Sequence, residues 1–314
     1  MADKKILIIG GTYFLGKAFA ELILGEENIE LTLLHRRPVN DGIIGKAIEN
    51  DPSRAREFLA DRHDKGRLGM LKDEHFDAIV DFCAYQKGDI KDLLENIGAG
   101  TDQYIFISTS DVYKRGTGLL QNEDSNLEDR NFGGEAGEYI SGKVSLEREI
   151  VQACSAKGCH YTVLRPVFIF GPDNYAPRES IYFQWIEKAG QIIHPSDADG
   201  KFQLVYVKDV AKAIRLVIGN EKAYDKAFNV CENRMQTYAG FAELLKKVVD
   251  KEFIPVEVDI QTVNEKGIPL PFPLTKEESN YYDGSRIKEL GMVFTSEEEA
   301  MKETYTAYLT SQSV

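Results

Sequence analysis

Lys5-Ile6-Leu7-Ile8-Ile9 runs directly into Gly10-Gly11-Thr12-Tyr13-Phe14-Leu15-Gly16, and a helical stretch follows from Gly16 to about Leu24. A strand, a glycine-rich turn and a helix in that order restrict the fold more than any other feature of the chain. A helix N-terminus offers unpaired N–H groups and a partial positive charge, which suit a pyrophosphate. Glycines let the backbone approach such a group closely.

The alternation continues. Strand-like runs cover Ile29 to Leu34, Asp77 to Phe82, Tyr104 to Ser108 and Tyr161 to Leu164, with a weaker third strand near Leu59. Helical stretches lie at about Asp89 to Ile97 and Glu138 to Cys154. Alternating strands and helices predict parallel βαβ units. Near-continuous apolar strands predict a sheet covered on both faces. The fold class expected is α/β, a doubly wound parallel Rossmann sheet with a smaller C-terminal substrate lobe. Residues 1–170 form the sheet domain, with 205–232 returning to it. Residues 171–204 and 233–314 form the lobe. Helices are expected at Tyr182 to Ala189 and Asp209 to Ile218, a late strand at Phe228-Asn229-Val230, and a rigid extended loop at Ile268 to Pro273. Trp185 is expected in the core.

The glycine turn has three readings. Gly11 to Lys17 spells G-x-x-x-x-G-K, the start of a triphosphate-binding loop. Ala18 then stands where that loop needs a hydroxyl for magnesium, which counts against it. A dinucleotide loop has its middle glycine where this chain has Tyr13. A purely structural turn is the third reading. Downstream residues favour the dinucleotide. The second strand ends in His35-Arg36-Arg37 with no carboxylate, and guanidinium forks match a ribose 2′-phosphate. The expected cofactor is therefore NADP, with NAD as the alternative, or else the arginines are solvated loop charges. Asp61 either accepts from the adenine amino group or is an ordinary surface residue.

Tyr139-Ile140-Ser141-Gly142-Lys143 puts a phenol and an amine at i and i+4, on one helix face. A free tyrosine titrates near 10. A neighbouring ammonium is expected to lower that value and make the phenol a usable acid–base group. Thirty residues earlier, Ser108-Thr109-Ser110 ends a strand, where ligands bind in parallel sheets. A hydroxyl there suits a substrate oxygen beside the tyrosine. Its alternative use is turn capping.

Together with Leu164-Arg165-Pro166-Val167-Phe168-Ile169-Phe170-Gly171-Pro172 and Val205-Tyr206-Val207-Lys208-Asp209-Val210-Ala211, these segments resemble the extended short-chain dehydrogenase/reductases, the NAD(P)-dependent epimerase/dehydratase group. The resemblance implies Thr109, Tyr139 and Lys143 as catalytic residues. It implies Gly10, Gly11 and Gly16, with Thr12, Tyr13, Phe14 and Leu15 of the same loop, at the pyrophosphate. It places Pro166 and Val167 by the nicotinamide, and a substrate, often a nucleotide sugar, in the C-terminal lobe. Tyr85, Ser110 and Arg178 are the candidate substrate contacts; Tyr85, Arg178 and Tyr206, the last two at plausible lobe positions, are each alternatively structural. The family shape also implies a homodimer through the Tyr-Lys helix. Tyr13 looks like the atypical branch, which includes chloroplast RNA-binding relatives. Because Tyr139 and Lys143 are kept, an active enzyme is expected.

Two reactions stay open: an epimerase or dehydratase on a nucleotide sugar, and a reductase of a small carbonyl compound. Asp111 follows Thr109 closely, but Val112 comes next, and the missing acidic pair counts against dehydration. The competing class is a non-catalytic dinucleotide sensor or RNA-binding relative. The net charge of -13 opposes nucleic acid, which calls for a basic face. No apolar run reaches the roughly 20 residues of a membrane span. Four scattered cysteines without a secretory signal point to a reduced, cytoplasmic protein. Cys154, Cys159 and His160 lack a second ligand pair, so no metal is expected.

Overall fold

A computed structural model describes residues 4–39, 42–98, 100–116 and 118–312. The first half runs β1 (Lys4–Ile9), α1 (Phe14–Leu24), β2 (Ile29–His35), α2 (Gly42–Asn50), β3 (Ala55–Leu59), α3 (Lys65–Leu68), β4 (Phe76–Asp81), α4 (Asp89–Ile97), β5 (Thr101–Ile107), β6 (Leu120–Gln121) and α5 (Gly134–Lys157). The second runs β7 (His160–Pro166), β8 (Phe168–Phe170), α6 (Glu179–Ala189), β9 (Gln191–Pro195), β10 (Leu204–Tyr206), α7 (Val207–Val217), β11 (Lys226–Val230), α8 (Tyr238–Val248), β12 (Ile254–Val258), α9 (Ile260–Lys266), β13 (Tyr281–Tyr282), α10 (Ser285–Glu289) and α11 (Glu297–Gln312).

Seven strands form one parallel sheet in the order β3-β2-β1-β4-β5-β7-β11. Strand side chains alternate between faces. Ile6 and Ile8 of β1 accordingly join one core cluster, while Leu7 and Ile9 join another on the opposite face. The doubly wound α/β expectation therefore holds. Winding proceeds outward in one direction through β2 and β3, and in the other through β4, β5, β7 and β11. The reversal leaves a crevice beyond the carboxyl ends of β1 and β4, the place where such sheets bind ligands.

The remaining strands pair in twos, β8 with β10, β9 with β12 and β6 with β13, outside the main sheet. The proline-rich run Ile268 to Pro273 lays Phe272 face to face on Phe202, with centroids 3.9 Å apart. Trp185 departs from the core expectation. It is only partly buried, packed edge-on to Tyr182, which takes the interior position on the same helix. All four cysteines are free, and the Cys159 thiol donates to the Cys154 carbonyl. Among the described residues there is no cluster of three potential metal ligands, and no helix is long and apolar enough to cross a membrane.

Candidate functional site

A cleft of about 710 Å³ opens at the crevice between β1 and β4 and runs along the end of the sheet toward the C-terminal segments. At one end stands the turn from β1 into α1. Gly10 adopts φ +83°, and a side chain on it would meet Cys83 Sγ at 2.0 Å. Only glycine lets the β1 and β4 ends close up here. Gly10, Tyr13, Phe14, Leu15 and Gly16 line the cleft. Gly11 faces the other way, against Ile8 and Leu33, so its role is packing beneath the loop. Thr12, half-buried, is likewise not part of the lining.

Tyr13 is 59% exposed, and its ring stacks on Tyr175 at 5.4 Å. Phe14 meets the same Tyr175 edge-on at 5.8 Å. Lys17, one turn into α1, pairs with Asp173 at 2.6 Å. The segment after β8 is thus laid across the mouth of the glycine turn.

The catalytic candidates converge on the opposite wall. Tyr139, Lys143 and Glu147 recur at four-residue spacing on α5 and share one face. Gly142 lets α5 come down on the loop after β4, because a side chain there would meet the Tyr85 carbonyl at 2.0 Å. Lys143 is almost fully buried. Its Nζ donates to the carbonyls of Ala84 and Ile107, both at 2.8 Å, and lies over the rings of Tyr85, Phe106 and Tyr139. Burial brings its ammonium down to about 8. Thr109 caps the short turn after β5, accepting from the Asp111 N–H at 3.2 Å, and Asp111 pairs with Arg115 at 2.8 Å.

The expected lowering of the Tyr139 phenol by Lys143 does not occur. The phenol is raised instead, first by burial, then by the negative charge of Asp111 and the neighbouring Tyr85 and Tyr175; only the Thr109 hydroxyl favours the phenolate. Lys143 lies over the Tyr139 ring but directs its donors at two carbonyls rather than at the phenol oxygen, and burial of the phenol outweighs it.

Pro166, Val167, Tyr85, Ser110 and Arg178 all line the same cleft. Arg178 donates to the Ile169 carbonyl at 2.9 Å. Four of the residues singled out in the sequence are not brought to it. Arg36 and Arg37 are exposed beyond the end of β2. Asp61 is exposed after β3, and its carboxylate accepts from the His63 N–H at 2.9 Å, an ordinary turn bond. Tyr206 is buried against Phe170 and takes no part in the lining. Sequence reasoning missed Tyr175, Lys201, Gln203, Asn280 and Tyr282, which the C-terminal segments bring to the cleft. It also missed two buried arginines, Arg62 and Arg165. For Arg165 a signal existed: a charge inside an apolar strand needs a partner.

Strand order, switch-point cleft and glycine turn define a protein of the Rossmann class. Residues 91–231 match the model of the NAD dependent epimerase/dehydratase family. UDP-glucose 4-epimerase of Thermotoga maritima, solved with UDP-glucose, superposes with a TM-score of 0.75 at 21% identity, covering 98% of this chain and 99% of that one. UDP-N-acetylglucosamine 4-epimerase of Methanobrevibacter ruminantium M1 gives 0.76 at 18%, covering 99% and 100%. dTDP-glucose 4,6-dehydratase of Bacillus anthracis, solved with NAD, gives 0.75 at 17%, covering 99% and 98%. At these identities the likeness is one of fold. Chloroplast stem-loop binding protein of 41 kDa b of Arabidopsis thaliana is 30% identical over 252 residues, 78% of this chain and 63% of that protein. The chain thus spans less than two thirds of that relative.

Proposed function

We propose that the chain is a nicotinamide-dinucleotide-dependent enzyme acting at an alcohol or carbonyl carbon of a nucleotide sugar or small carbonyl compound. One observation carries the reading. Tyr139, Thr109 and Lys143 face a single cleft whose other end is the Gly10 turn at the sheet's switch point.

The residues present fit a dinucleotide. Gly10 and Gly16 line the cleft at the α1 N-terminus, where pyrophosphate binding needs backbone N–H groups. The Gly16 and Lys17 N–H groups already donate to the Tyr13 carbonyl, so the Phe14 and Leu15 amides would serve the ligand. Lys143 keeps its proton at neutral pH and is suited to hold ribose hydroxyls. A bound dinucleotide supplies the hydride, or in oxidised form accepts it and brings a positive charge. Tyr139 handles the proton at its phenol oxygen. With the phenol raised, it stands ready to donate to a carbonyl oxygen, and Thr109 is placed to orient that oxygen. Arg36 and Arg37 do not line the cleft, but they stand exposed beyond the end of β2, where the adenosine ribose of a bound cofactor falls in such sheets, and their guanidinium forks suit the 2′-phosphate of NADP.

Tyr139→Phe tests the reading. With NADPH or NAD and a panel of UDP-sugars and small carbonyl compounds, turnover should fall by about 10²–10⁴-fold while dinucleotide affinity stays unchanged. Calorimetry showing uptake of neither dinucleotide overturns it. A second reading, stem-loop RNA binding without catalysis, is favoured by the Arabidopsis relative alone, against a net charge of -13. A stem-loop RNA shifted equally by the wild type and by Tyr139→Phe, with no turnover in either, is its signature.

A further inference from the structure

Arg62 follows Asp61 just after β3, and its guanidinium turns inward. Nη1 and Nη2 each donate to one carboxylate oxygen of Asp81 at 2.9 Å, and Nη2 also donates to the Asp89 carbonyl at 2.8 Å. Asp81 ends β4 and Asp89 opens α4. One planar fork therefore ties together the two ends of the loop 82–88. Both carboxylates reach into that loop as well. Asp81 accepts from the Cys83 N–H at 2.8 Å, and Asp89 from the Tyr85 and Gln86 N–H groups at 2.8 and 3.1 Å. Between these anchors sits Ala84, whose carbonyl accepts from Lys143 Nζ. The pair is dry: the side chains of Arg62 and Asp81 are 9% and 0% exposed. A buried ion pair is weak evidence for stability, because desolvation offsets the attraction. What a bidentate fork supplies at this depth is fixed geometry.

We infer that Arg62 and Asp81 are positioning residues for Lys143: they fix the loop 82–88, and with it the Ala84 carbonyl and the Tyr85 ring against which the lysine is held. The importance of this for function rests on the reading that Lys143 serves a dinucleotide. The same pair acts on the lysine through its charges. Asp81 and Cys83 from the end of β4 and its loop, and Glu147 from α5 itself, favour the ammonium. Arg62 opposes it. Tyr85, Tyr139 and Phe106 present ring faces, and the Ala84 and Ile107 carbonyls accept its protons. Removing either member of the pair therefore acts on Lys143 with opposite sign. The charge effect acts at this distance whatever the pair's role, so positioning is read from the charge-conserving variant Arg62→Lys together with cofactor affinity.

The experiment is an NMR titration of the full chain carrying lysine labelled at its ε carbon, with the Lys143 signal assigned by its loss in Lys143→Arg. In Asp81→Asn the Lys143 midpoint should fall by about one pH unit, and in Arg62→Gln it should rise by a similar amount. NADPH affinity, read by cofactor fluorescence, should weaken several-fold in both. Midpoints that move the same way, or not at all, overturn the inference. Arg62→Lys, which also stands in should either variant fail to fold, keeps the charge and loses the fork: a midpoint near the wild-type value with weakened NADPH binding supports positioning, and wild-type affinity overturns it. Opposite midpoint shifts in a protein that binds no dinucleotide would leave the positioning intact and defeat the proposed function instead.

Discussion

An ion pair and a tyrosine stand both behind the inner wall of the cleft and at its mouth, under opposite solvent conditions. Behind the wall, Arg165 of β7 grips Glu147 of α5 with Nη2 and Nε, and that carboxylate also accepts at 2.6 Å from the hydroxyl of Ser108, which lines the cleft. Arg165 Nη1 donates to the Tyr113 hydroxyl and to the Glu123 carbonyl. Both charged side chains are nearly sealed from water. At the mouth, Tyr13 stacks on Tyr175 and Lys17 pairs with Asp173, all of them well exposed. A buried charge must be met by a fixed partner, because its desolvation is otherwise uncompensated. An exposed charge has water as an alternative and its contact yields cheaply. The wall is therefore suited to hold α5, and with it Tyr139 and Lys143, in one place. The mouth is suited to part for a ligand.

The strongest way to break this contrast is Arg165→Met. It leaves Glu147 buried without its counter-charge, and unfolding in urea should show a loss of ~3–5 kcal/mol. A loss within the range of an exposed pair would mean that water reaches the wall and that burial does not separate the two regions.

The sequence discloses the wall's chemistry better than its geometry. β1 and the glycine turn are legible because an apolar run and a conformational break are both local signals. Tyr139 and Lys143 are legible because helical spacing alone brings them together. β3 gives a weak signal because it is an edge strand, and Ala55-Arg56-Glu57-Phe58-Leu59 need not be apolar with one side unpaired. The helix expected from Asp209 begins at Val207, since Tyr206 precedes it with no capping side chain to mark the start. Asp81 and Arg165 stand out as charges directly after the apolar runs Ala78-Ile79-Val80 and Val163-Leu164, but nothing local names Arg62 or Glu147 as their partners. The sign of the Tyr139 shift was hidden for the same reason. Spacing shows that an amine is near, whereas where its protons point depends on the Ala84 and Ile107 carbonyls.

Tyr13→Ala sharpens the contrast from the other side. A ligand approaching the α1 N-terminus meets the Tyr13–Tyr175 stack, and such a pair is worth about 0.5–1.5 kcal/mol. If the stack only has to be parted, calorimetry with NADP and NAD should show affinity raised by up to about tenfold in the variant. Weakened binding would mean that the ring itself contacts the ligand, and that the mouth is as specific as the wall.

Asp173→Asn should have the smallest effect. The carboxylate raises the Lys17 ammonium chiefly through a hydrogen bond, so the pair is attractive. Both side chains are nonetheless well exposed, at 39% and 53%. Side-chain entropy and solvent screening then limit the loss of stability to less than about 1 kcal/mol. The loss should vanish in roughly 1 M salt, where the screening length is about 3 Å. A thermal unfolding series in rising salt decides the matter. A deficit that persists at high salt would show that Lys17 and Asp173 are tied by geometry rather than by screened attraction, and would move the α1 mouth into the same class as the Arg165–Glu147 wall.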